Sequence, residues 1–455
     1  MALTRADFLL RQFTRKLWVR AAAFAVLGAA AAAAGRVIGP WLPADLIERS
    51  GADSVSGLLN ILATSMLAVT TFSLSIMVSA YSAAAAAVSP RAVDLLLEDR
   101  TSQTVLSTFL GAFLFALVGL IALEAGLYGD SGRVVLFFAT IAVTVAVVFA
   151  ILRWISHLTT FGRVGDTTQR VEKAAANALR LRLDRPCLGG TTMPEGGPPD
   201  GLVPLLSPAT GYLRHIDMPH LSEIADRLGA QQGGAPAVWL SVLPGAFVHP
   251  STPLLWHAPV VRAHDTQGEP ASRSGEDAAG QGDNTDLTQD LCAAFTIGAT
   301  RTFDQDPRFG LCVLTEIAAR ALSPAVNDPG TAIDVLGRVV RVLGDWPDRA
   351  TIAPEFPLVA VPPLRLEDVF DDVFPTIAHD GAAMAPVQIR LQKALLALAE
   401  RDPASFAAPA AHHSRRALAD AQAHLIHKED LDRLEDLSAR IGAMSRKTDG
   451  HSRAL

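Results

Sequence analysis

The longest charge-free run of the chain is the feature that most limits what it can fold into. Residues 54–90 contain no Asp, Glu, Lys or Arg, which makes 37 consecutive uncharged residues. As a helix with a rise of about 1.5 Å per residue this run is about 55 Å long, whereas the hydrocarbon core of a bilayer is only about 30 Å thick. The run therefore predicts a membrane-spanning helix that bends or leaves several turns outside the bilayer.

One face of this helix is predicted to carry only small side chains, most of them with a hydroxyl group. At helical spacing these residues are Thr64, Ala68, Thr71, Ser75, Ser79, Ser82, Ala86 and Ser89. In lipid, such a stripe allows two helices to pack closely, but it can also face the water of a pore. We therefore treat Thr71, Ser75, Ser79 and Ser82 as candidate pore-lining or helix-packing residues.

Three further apolar stretches complete a predicted transmembrane domain over residues 1–160. The four expected spans are about 17–38, 59–81, 104–124 and 134–154. Lys and Arg cluster before residue 21 and again from residue 153 onward. Because basic residues favour the cytoplasmic side, this pattern predicts an inner (plasma) membrane protein with both termini in the cytoplasm.

Two sites at the predicted membrane boundary have both a structural and a functional interpretation. Ser89-Pro90-Arg91 ends the long helix, because the residue before proline is pushed out of helical geometry; it is either a plain helix stop or a hinge or gate. Glu124 follows the third span and is either an interfacial carboxylate or a cation-attracting group at a pore mouth.

The rest of the chain is less apolar and predicts a cytoplasmic α+β domain. Short strand patterns and the turns around 243–255 resemble small barrel-sandwich domains, which suggests a β-barrel-like insert. The expected fold class is thus an α-helical membrane bundle of four transmembrane helices, followed by an α+β cytoplasmic domain with this insert and C-terminal helices. The predicted parts are a connecting helix and linker (161–200), a β-rich subdomain (201–262), a flexible loop (263–290) and a mainly helical domain (291–455).

The densest polar pattern lies in the helical domain. It comprises Arg301, Asp304, Asp306, Arg320, Asn327 and Asp328. Asp306-Pro307 and Asp328-Pro329 are both typical of a helix N-cap followed by proline at the first helical position, which is the structural interpretation. The functional alternative is a polar site for a small ligand or cation, although the spacing fits no known cation-binding loop.

Three short motifs carry a family resemblance. They are Ser-Pro-Arg at 89–91, Asp-Pro-Arg-Phe-Gly at 306–310 and Arg-Ala-Leu-Ser-Pro-Ala-Val-Asn-Asp-Pro-Gly-Thr-Ala at 320–332. With them the chain resembles, from the first span to about residue 400, the bacterial membrane-protein family catalogued as domain of unknown function 2254. The resemblance implies a multi-pass membrane protein with a C-terminal cytoplasmic domain and implies no activity.

Composition and short motifs argue against a nucleic-acid partner, a metal site and an enzymatic activity. The formal net charge is −7, so no nucleic-acid partner is expected. The three cysteines are widely spaced and predict neither disulfides nor a zinc site. His424 and His427 are three residues apart, but without a third ligand in register we expect surface histidines and no metal or other cofactor. Since no catalytic motif is present, we do not expect an enzyme.

Two functional hypotheses remain open. The first is a homo-oligomeric, channel-like or transport protein with a cytoplasmic regulatory domain; one small-polar helix per subunit cannot enclose a pore, so this function requires several copies. The second is a membrane-anchored sensor or interaction module that binds a cytoplasmic ligand or partner without transport.

Overall fold

The computed structural model describes residues 22, 26, 30, 54–97, 99–127, 130–159, 161–229, 235–259, 286–346 and 352–452. The chain divides into two compact units, an N-terminal one that ends at Thr167 and a C-terminal one that comprises Thr168–Leu455. Each unit is described by itself.

Long helices make up the described part of the N-terminal unit. They are α1 (Val55–Ala87), α2 (Pro90–Leu97), α3 (Arg100–Glu124) and α4 (Asp130–Leu158), and α5 (Val164–Asp184) begins at its end. Three of them are long and apolar enough to cross a membrane, over Val55–Ala86, Arg100–Glu124 and Gly132–Leu158. These three correspond to the predicted second, third and fourth spans and extend beyond them. The predicted first span, 17–38, lies outside the described residues except for Ala22, Val26 and Ala30, which are helical.

An apolar core joins α1, α3 and α4. Leu59 of α1, Phe109 and Phe115 of α3 and Leu136 of α4 are all fully buried in it. Gly119 of α3 makes the closest approach, because a Cβ atom there would lie 3.2 Å from a methyl group of Leu59. Small residues thus let these helices pack closely, as is usual for helices in lipid.

The C-terminal unit combines two small sheets with helices. Its strands are β1 (Gly190–Thr192), β2 (Val203–Leu206), β3 (Gly211–Ile216), β4 (Val238–Leu240), β5 (Phe247–Val248), β6 (Pro253–His257), β7 (Phe295–Gly298) and β8 (Phe356–Val361). One sheet has the order β1-β8-β4-β6-β2 and the other the order β5-β3-β7. The helix α6 (Met218–Gly229) follows β3 and buries Leu221 and Ile224 in the core of this part.

The expected β-barrel-like insert is not confirmed by the described strands. β8 pairs in parallel with both β1 and β4, so the larger sheet is an open, mixed sheet that includes a strand more than 100 residues after β4. The local turn pattern that suggested the barrel carries no information about such a distant strand. The predicted linker before residue 200 likewise contains a 3₁₀ turn over Pro186–Gly189 and the strand β1.

Helices form the remainder of the unit. They are α7 (Pro307–Leu322), α8 (Pro329–Gly344), α9 (Leu366–Asp380), α10 (Ala385–Arg401), α11 (Pro403–His424) and α12 (Lys428–Ser452). Residues 415–443 are helical apart from one break, because α11 ends at His424 and α12 begins at Lys428. Of the predicted flexible loop 263–290, residues 286–290 are helical and the others lie outside the described residues.

Candidate functional site

Asp306 organises the polar site at the start of α7. It is 2% exposed and caps the helix, since its Oδ1 accepts hydrogen bonds from the backbone N–H groups of Arg308 and Phe309, both at 3.1 Å. Its Oδ2 accepts a hydrogen bond from Nε of Arg301 at 2.7 Å. The carboxylate is therefore engaged on both oxygens.

A glycine turn closes over the same carboxylate. Gly245, in the segment between β4 and β5, has a φ of +100°, a conformation that favours glycine. A Cβ atom at this position would lie 2.2 Å from Oδ2 of Asp306, so only glycine lets the backbone pass there. The enclosure leaves Asp306 a structural carboxylate rather than an open ligand for a cation.

Two arginines beside Asp306 are held by carboxylates. Arg308 donates from Nε and Nη2 to Asp372, at 2.6 and 2.9 Å, and from Nη1 to Asp368 at 3.3 Å. Burial by itself lowers the pKa of Arg301, but the hydrogen bond and charge of Asp306 raise it above its ordinary value. Both side chains are thus fixed in their positions and fully charged.

Arg182, in the last turn of α5, is not paired with a described carboxylate in the way that Arg301 and Arg308 are. It is 5% exposed, and its Nε and Nη1 have no hydrogen-bond partner among the described residues. Its Nη2 makes one long hydrogen bond of 3.5 Å to the backbone oxygen of Gln305. Burial lowers the pKa of Arg182 to about 10, which still leaves the guanidinium charged at neutral pH.

These groups line a cavity of about 400 Å³, which we call the arginine cavity. Its ionisable lining residues are Arg182, Arg301, Arg308, Arg365, Asp306 and Asp368, a net formal charge of +2. Most of its other walls are apolar and come from the segment 242–246 and from 362–364, just after β8. Arg182 also lines a neighbouring cavity of about 310 Å³ together with Asp304, which is exposed.

The structure does not bring the six residues of the predicted polar motif together. Arg320, Asn327 and Asp328 lie after or near the C-terminal end of α7, a helix of 16 residues and hence about 24 Å long. All three are exposed, and Asp328 caps α8 by accepting hydrogen bonds from the backbone N–H and hydroxyl of Thr331. These bonds lower the pKa of Asp328. The motif therefore consists of Arg301 and Asp306 at the arginine cavity, Asp304 at the neighbouring cavity and three exposed residues toward the other end of α7.

The hydroxyl face of α1 is turned outward on the single chain. Thr64, Thr71, Ser75, Ser79 and Ser82 are all exposed. The buried side of the helix is a mainly apolar stripe on the opposite face, which includes Leu59, Leu62, Met66, Met77 and Ala84 together with Ser73. The hydroxyls of Thr64 and Thr71 donate to backbone oxygens one turn earlier, at 2.9 and 2.7 Å. Because these donors are already satisfied, the face can lie against an apolar surface as well as a polar one.

The two predicted boundary sites lie at helix ends. α1 ends at Ala87 and α2 begins at Pro90, with the hydroxyl of Ser89 accepting a hydrogen bond from the backbone N–H of Arg91 at 3.3 Å. Ser89 is 2% exposed, so this connection is packed. Glu124 is the last residue of α3 and is exposed. Their roles as hinge and pore mouth remain predictions.

Sequence reasoning missed a buried cluster in the N-terminal unit. Asp99 caps α3 and bonds both the backbone N–H and the hydroxyl of Ser102, at 2.7 and 2.8 Å. Nε2 of His157, from the last turn of α4, lies 3.1 Å from the Asp99 carboxylate and 3.2 Å from the Ser102 hydroxyl. The Asp-x-x-Ser spacing is a cap signal that indicates the first contact, whereas His157 comes from a distant helix.

The sequence analysis also did not single out Arg182, although its position in the helical pattern indicates that it is buried. The predicted helix has a buried stripe of Val171, Ala175 and Leu179, and Arg182 is the next residue at helical spacing. An arginine in an apolar stripe must find a partner or remain an unpaired buried charge.

The histidines do not form the two-residue metal pattern considered above. His424 ends α11, and His427 lies in the break before α12, so the two are not on one helix. Among the described residues, no group of three or more His, Cys, Asp or Glu side chains is placed to hold a metal ion.

Comparison with known proteins identifies the family. A family model described as "Predicted membrane protein (DUF2254)" matches residues 14–397. Uncharacterised proteins of Mycobacterium bovis and Mycobacterium tuberculosis are 28% identical to this chain over 295 residues, which is 63% of this chain and 51% of each relative. The chain thus spans about half the length of these curated relatives. No solved structure matches it. Since the family model covers most of the chain, the protein belongs to the DUF2254 family of predicted membrane proteins.

Proposed function

We propose that the protein acts in the membrane as a homo-oligomer of channel-like or transport type, in which the hydroxyl faces of several α1 helices face one another. The observation that carries this proposal is the exposure of Thr71, Ser75, Ser79 and Ser82 on the single chain. A small, hydroxylated helix face has little to gain from contact with acyl chains, whereas it packs closely against another helix and can also line a polar path.

The arrangement of α1 supports an assembly of several copies. Its apolar stripe is already used against α3 and α4 in the core of the unit. The hydroxyl face on the opposite side is thus free for neighbouring subunits, while the exposed apolar side chains beside it, such as Phe72 and Val78, suit contact with lipid. One such face cannot enclose a path, but a ring of them can, and closed rings are the usual outcome when subunits associate head to tail.

Cysteine cross-linking in membranes tests the assembly. We expect Ser75→Cys and Ser79→Cys to form disulfide-linked dimers on mild oxidation. Leu74→Cys is the matched control, because Leu74 is 49% exposed on the same helix but lies on a different face. The wild-type protein, which has Cys187, Cys292 and Cys312, gives the background.

Ion flux in liposomes tests the polar path itself. Leucine is a good helix former, and its larger side chain fills the proposed path. We therefore expect Ser79→Leu to abolish ion flux while the protein still folds. A wild-type protein that is monomeric in mild detergent, together with Ser75→Cys and Ser79→Cys variants that give no cross-links, would contradict the proposal.

A membrane-anchored binding module is the second candidate function. The observation that favours it is the arginine cavity of the C-terminal unit, which combines charged groups with apolar walls in a volume typical of small-molecule sites. A monomeric protein that binds a ligand in this cavity and conducts nothing would support this function over the first.

A further inference from the structure

We propose that the arginine cavity binds a small phosphate-bearing molecule and that Arg182 is the residue that holds the phosphate group. This inference goes beyond the proposed function and does not depend on it, because all the residues involved belong to the C-terminal unit. It rests on the unpaired state of Arg182, on the charge of the cavity and on its shape.

The first step is the state of the Arg182 guanidinium. It is buried and charged, yet Nε and Nη1 lack hydrogen-bond partners within the described part of the chain. Burying a charge without a partner is strongly unfavourable, so arginines in such places normally meet a carboxylate or an oxyanion. Arg182 lines an open cavity, so there is room beside the guanidinium for a partner that comes from solution, although Nε and Nη1 are themselves closed off from solvent.

The second step is the electrostatic balance. Arg301 and Arg308 have their own carboxylates, Asp306 for the first and Asp372 with Asp368 for the second. Among the described residues Arg182 forms no ion pair, although the charge of Asp306 acts on it, and Arg365 has only Glu367 at 3.9 Å in an exposed pair. The lining groups by themselves carry a net formal charge of +2, which Asp372 and Glu367, the partners of Arg308 and Arg365, offset. Arg182 is therefore the lining cation that a phosphate group would pair with.

The third step excludes the end of α7 as the anion site. Asp306 already accepts from the N–H groups of Arg308 and Phe309, so the positive end of the helix dipole is occupied by a carboxylate of the protein. An anion in the cavity must therefore rely on the guanidinium groups, and Arg182 is the one that is buried with unused donors.

The shape of the cavity indicates a ligand larger than inorganic phosphate. Its volume of about 400 Å³ is several times that of a phosphate ion and falls within the range of small-molecule sites. Leu243, Pro244, Pro362 and Leu364 are among its apolar lining residues. We therefore expect a phosphorylated molecule with an uncharged, partly apolar body that packs on these side chains.

The experiment measures thermal stability of the full-length protein in detergent at constant ionic strength. The probes are inorganic phosphate, a nucleoside monophosphate, succinate and chloride. We expect a saturable rise in Tm with the two phosphates, larger for the monophosphate ester, and none with chloride. A response to succinate that exceeds both phosphates would overturn the assignment to phosphate, and no saturable response to any of the probes would overturn the site.

Variants of Arg182 connect the response to this residue. Arg182→Met should abolish the phosphate response, and Arg182→Lys, which keeps the charge but not the planar fork, should weaken apparent affinity at least tenfold. Arg180→Gln is the control: it lies on the same helix, is 57% exposed and pairs with Asp345, so its response should equal that of the wild type. A wild-type response in Arg182→Lys and Arg182→Met would overturn the proposal.

Stability without ligand separates this role from a purely structural one. Because Arg182→Met removes an unpaired buried charge, the variant should be as stable as the wild type or more stable when no phosphate is present. A structural arginine would give the opposite result, a lower Tm in every buffer. If Arg182→Met does not fold, that outcome counts against the proposal, and Arg182→Lys still measures the dependence on the guanidinium.

Discussion

At the scale of single residues, the run from Asp306 to Gly310 shows how physical constraints account for a short sequence motif. Asp306 caps α7, Pro307 occupies the first helical position and Arg308 forms a fork with Asp372. Phe309 is buried beneath the guanidinium of Arg301, 5.0 Å from the ring centre. Each of these residue types has a structural role at its position. The motif is therefore explained by the fold without any assigned function.

Gly310 completes this run and gives the first residue-scale prediction. A Cβ atom at Gly310 would lie 2.5 Å from Cβ and 2.7 Å from Cα of Ala175, so α5 and α7 are in backbone contact there. We expect Gly310→Ala to lower the free energy of unfolding by about 1–3 kcal/mol, because the helices must separate. Denaturant unfolding of the C-terminal unit in the full-length protein measures this change.

Gly337 provides the matched control for that substitution. It lies inside α8 with only the end of the flexible Arg341 side chain near its Cβ position, at 3.9 Å. Gly337→Ala should therefore be neutral or stabilise the protein by about 0.5–1 kcal/mol through helix propensity. Equal effects of the two substitutions would contradict the close approach at Gly310.

His413 of α11 gives a prediction about pH. It is 4% exposed and lies against the rings of Phe370 and Phe374, and burial lowers its pKa to about 4. The folded protein thus binds fewer protons than the unfolded chain between about pH 6.5 and pH 4. Stability contributed by the neutral ring is present above about pH 6.5 and should fall by about 2 kcal/mol as the pH drops toward 4.

To test this, the unfolding free energy is measured against pH for variants as well as for the wild type, because carboxylates titrate in the same pH range. His413→Leu should remove this part of the pH dependence, so that the difference in unfolding free energy between wild type and variant changes between pH 7 and pH 4.5. His424→Leu, at an exposed histidine, should leave the wild-type pH profile unchanged. The same profile for all three proteins would show that His413 is not held neutral.

At the scale of elements, the carboxylate of one residue connects α5 to α8 through hydrogen bonds. Glu172 of α5 accepts hydrogen bonds from Nη1 of Arg338 and from Nε of Arg341, both at 2.6 Å. Burial raises the pKa of Glu172, but the hydrogen bonds and charges of the two arginines outweigh it and lower the pKa overall. The link is therefore intact at neutral pH and is lost only as the pH falls below the usual range of a glutamate.

We expect Glu172→Gln to cost about 2 kcal/mol of unfolding free energy, because it leaves the largely buried Arg338 with only the half-exposed Asp334 as a charged partner among the described residues. Glu400→Gln is the control, since Glu400 forms an exposed pair with Arg440 and such pairs contribute about 0–1 kcal/mol. Urea unfolding of both variants beside the wild type measures the difference, and a comparable loss for the two would argue against the tie.

Local sequence patterns predicted helices and strands well, but they did not predict contacts between residues that are far apart in the sequence. The Asp-Pro pairs located the starts of α7 and α8, and alternating apolar residues located β3, β6 and β8. The parallel pairing of β8 with β1 and β4 depends on residues more than 100 positions apart, which no local pattern encodes. The arginine cavity follows from the same pairing, because its walls come from the segments after β4 and after β8.

At the scale of the whole molecule, the chain joins a membrane unit to a unit with its own core. Charge-free runs predicted the described spans, because hydrocarbon excludes charge over a fixed thickness. The exposed face of α1 and the occupant of the arginine cavity involve partners that lie outside a single chain, so neither sequence nor single-chain structure could specify them. The cross-linking and phosphate experiments address these two unknowns separately.

The length of α1 has a consequence for the bilayer around it. The helix has 33 residues and is about 50 Å long, against a hydrocarbon thickness of about 30 Å. Tilt relieves such a hydrophobic mismatch only in part, because transmembrane helices rarely lean beyond about 40°. Part of α1 should therefore lie outside the hydrocarbon in a bilayer of ordinary thickness, and longer acyl chains should bury more of it and shift its tilt.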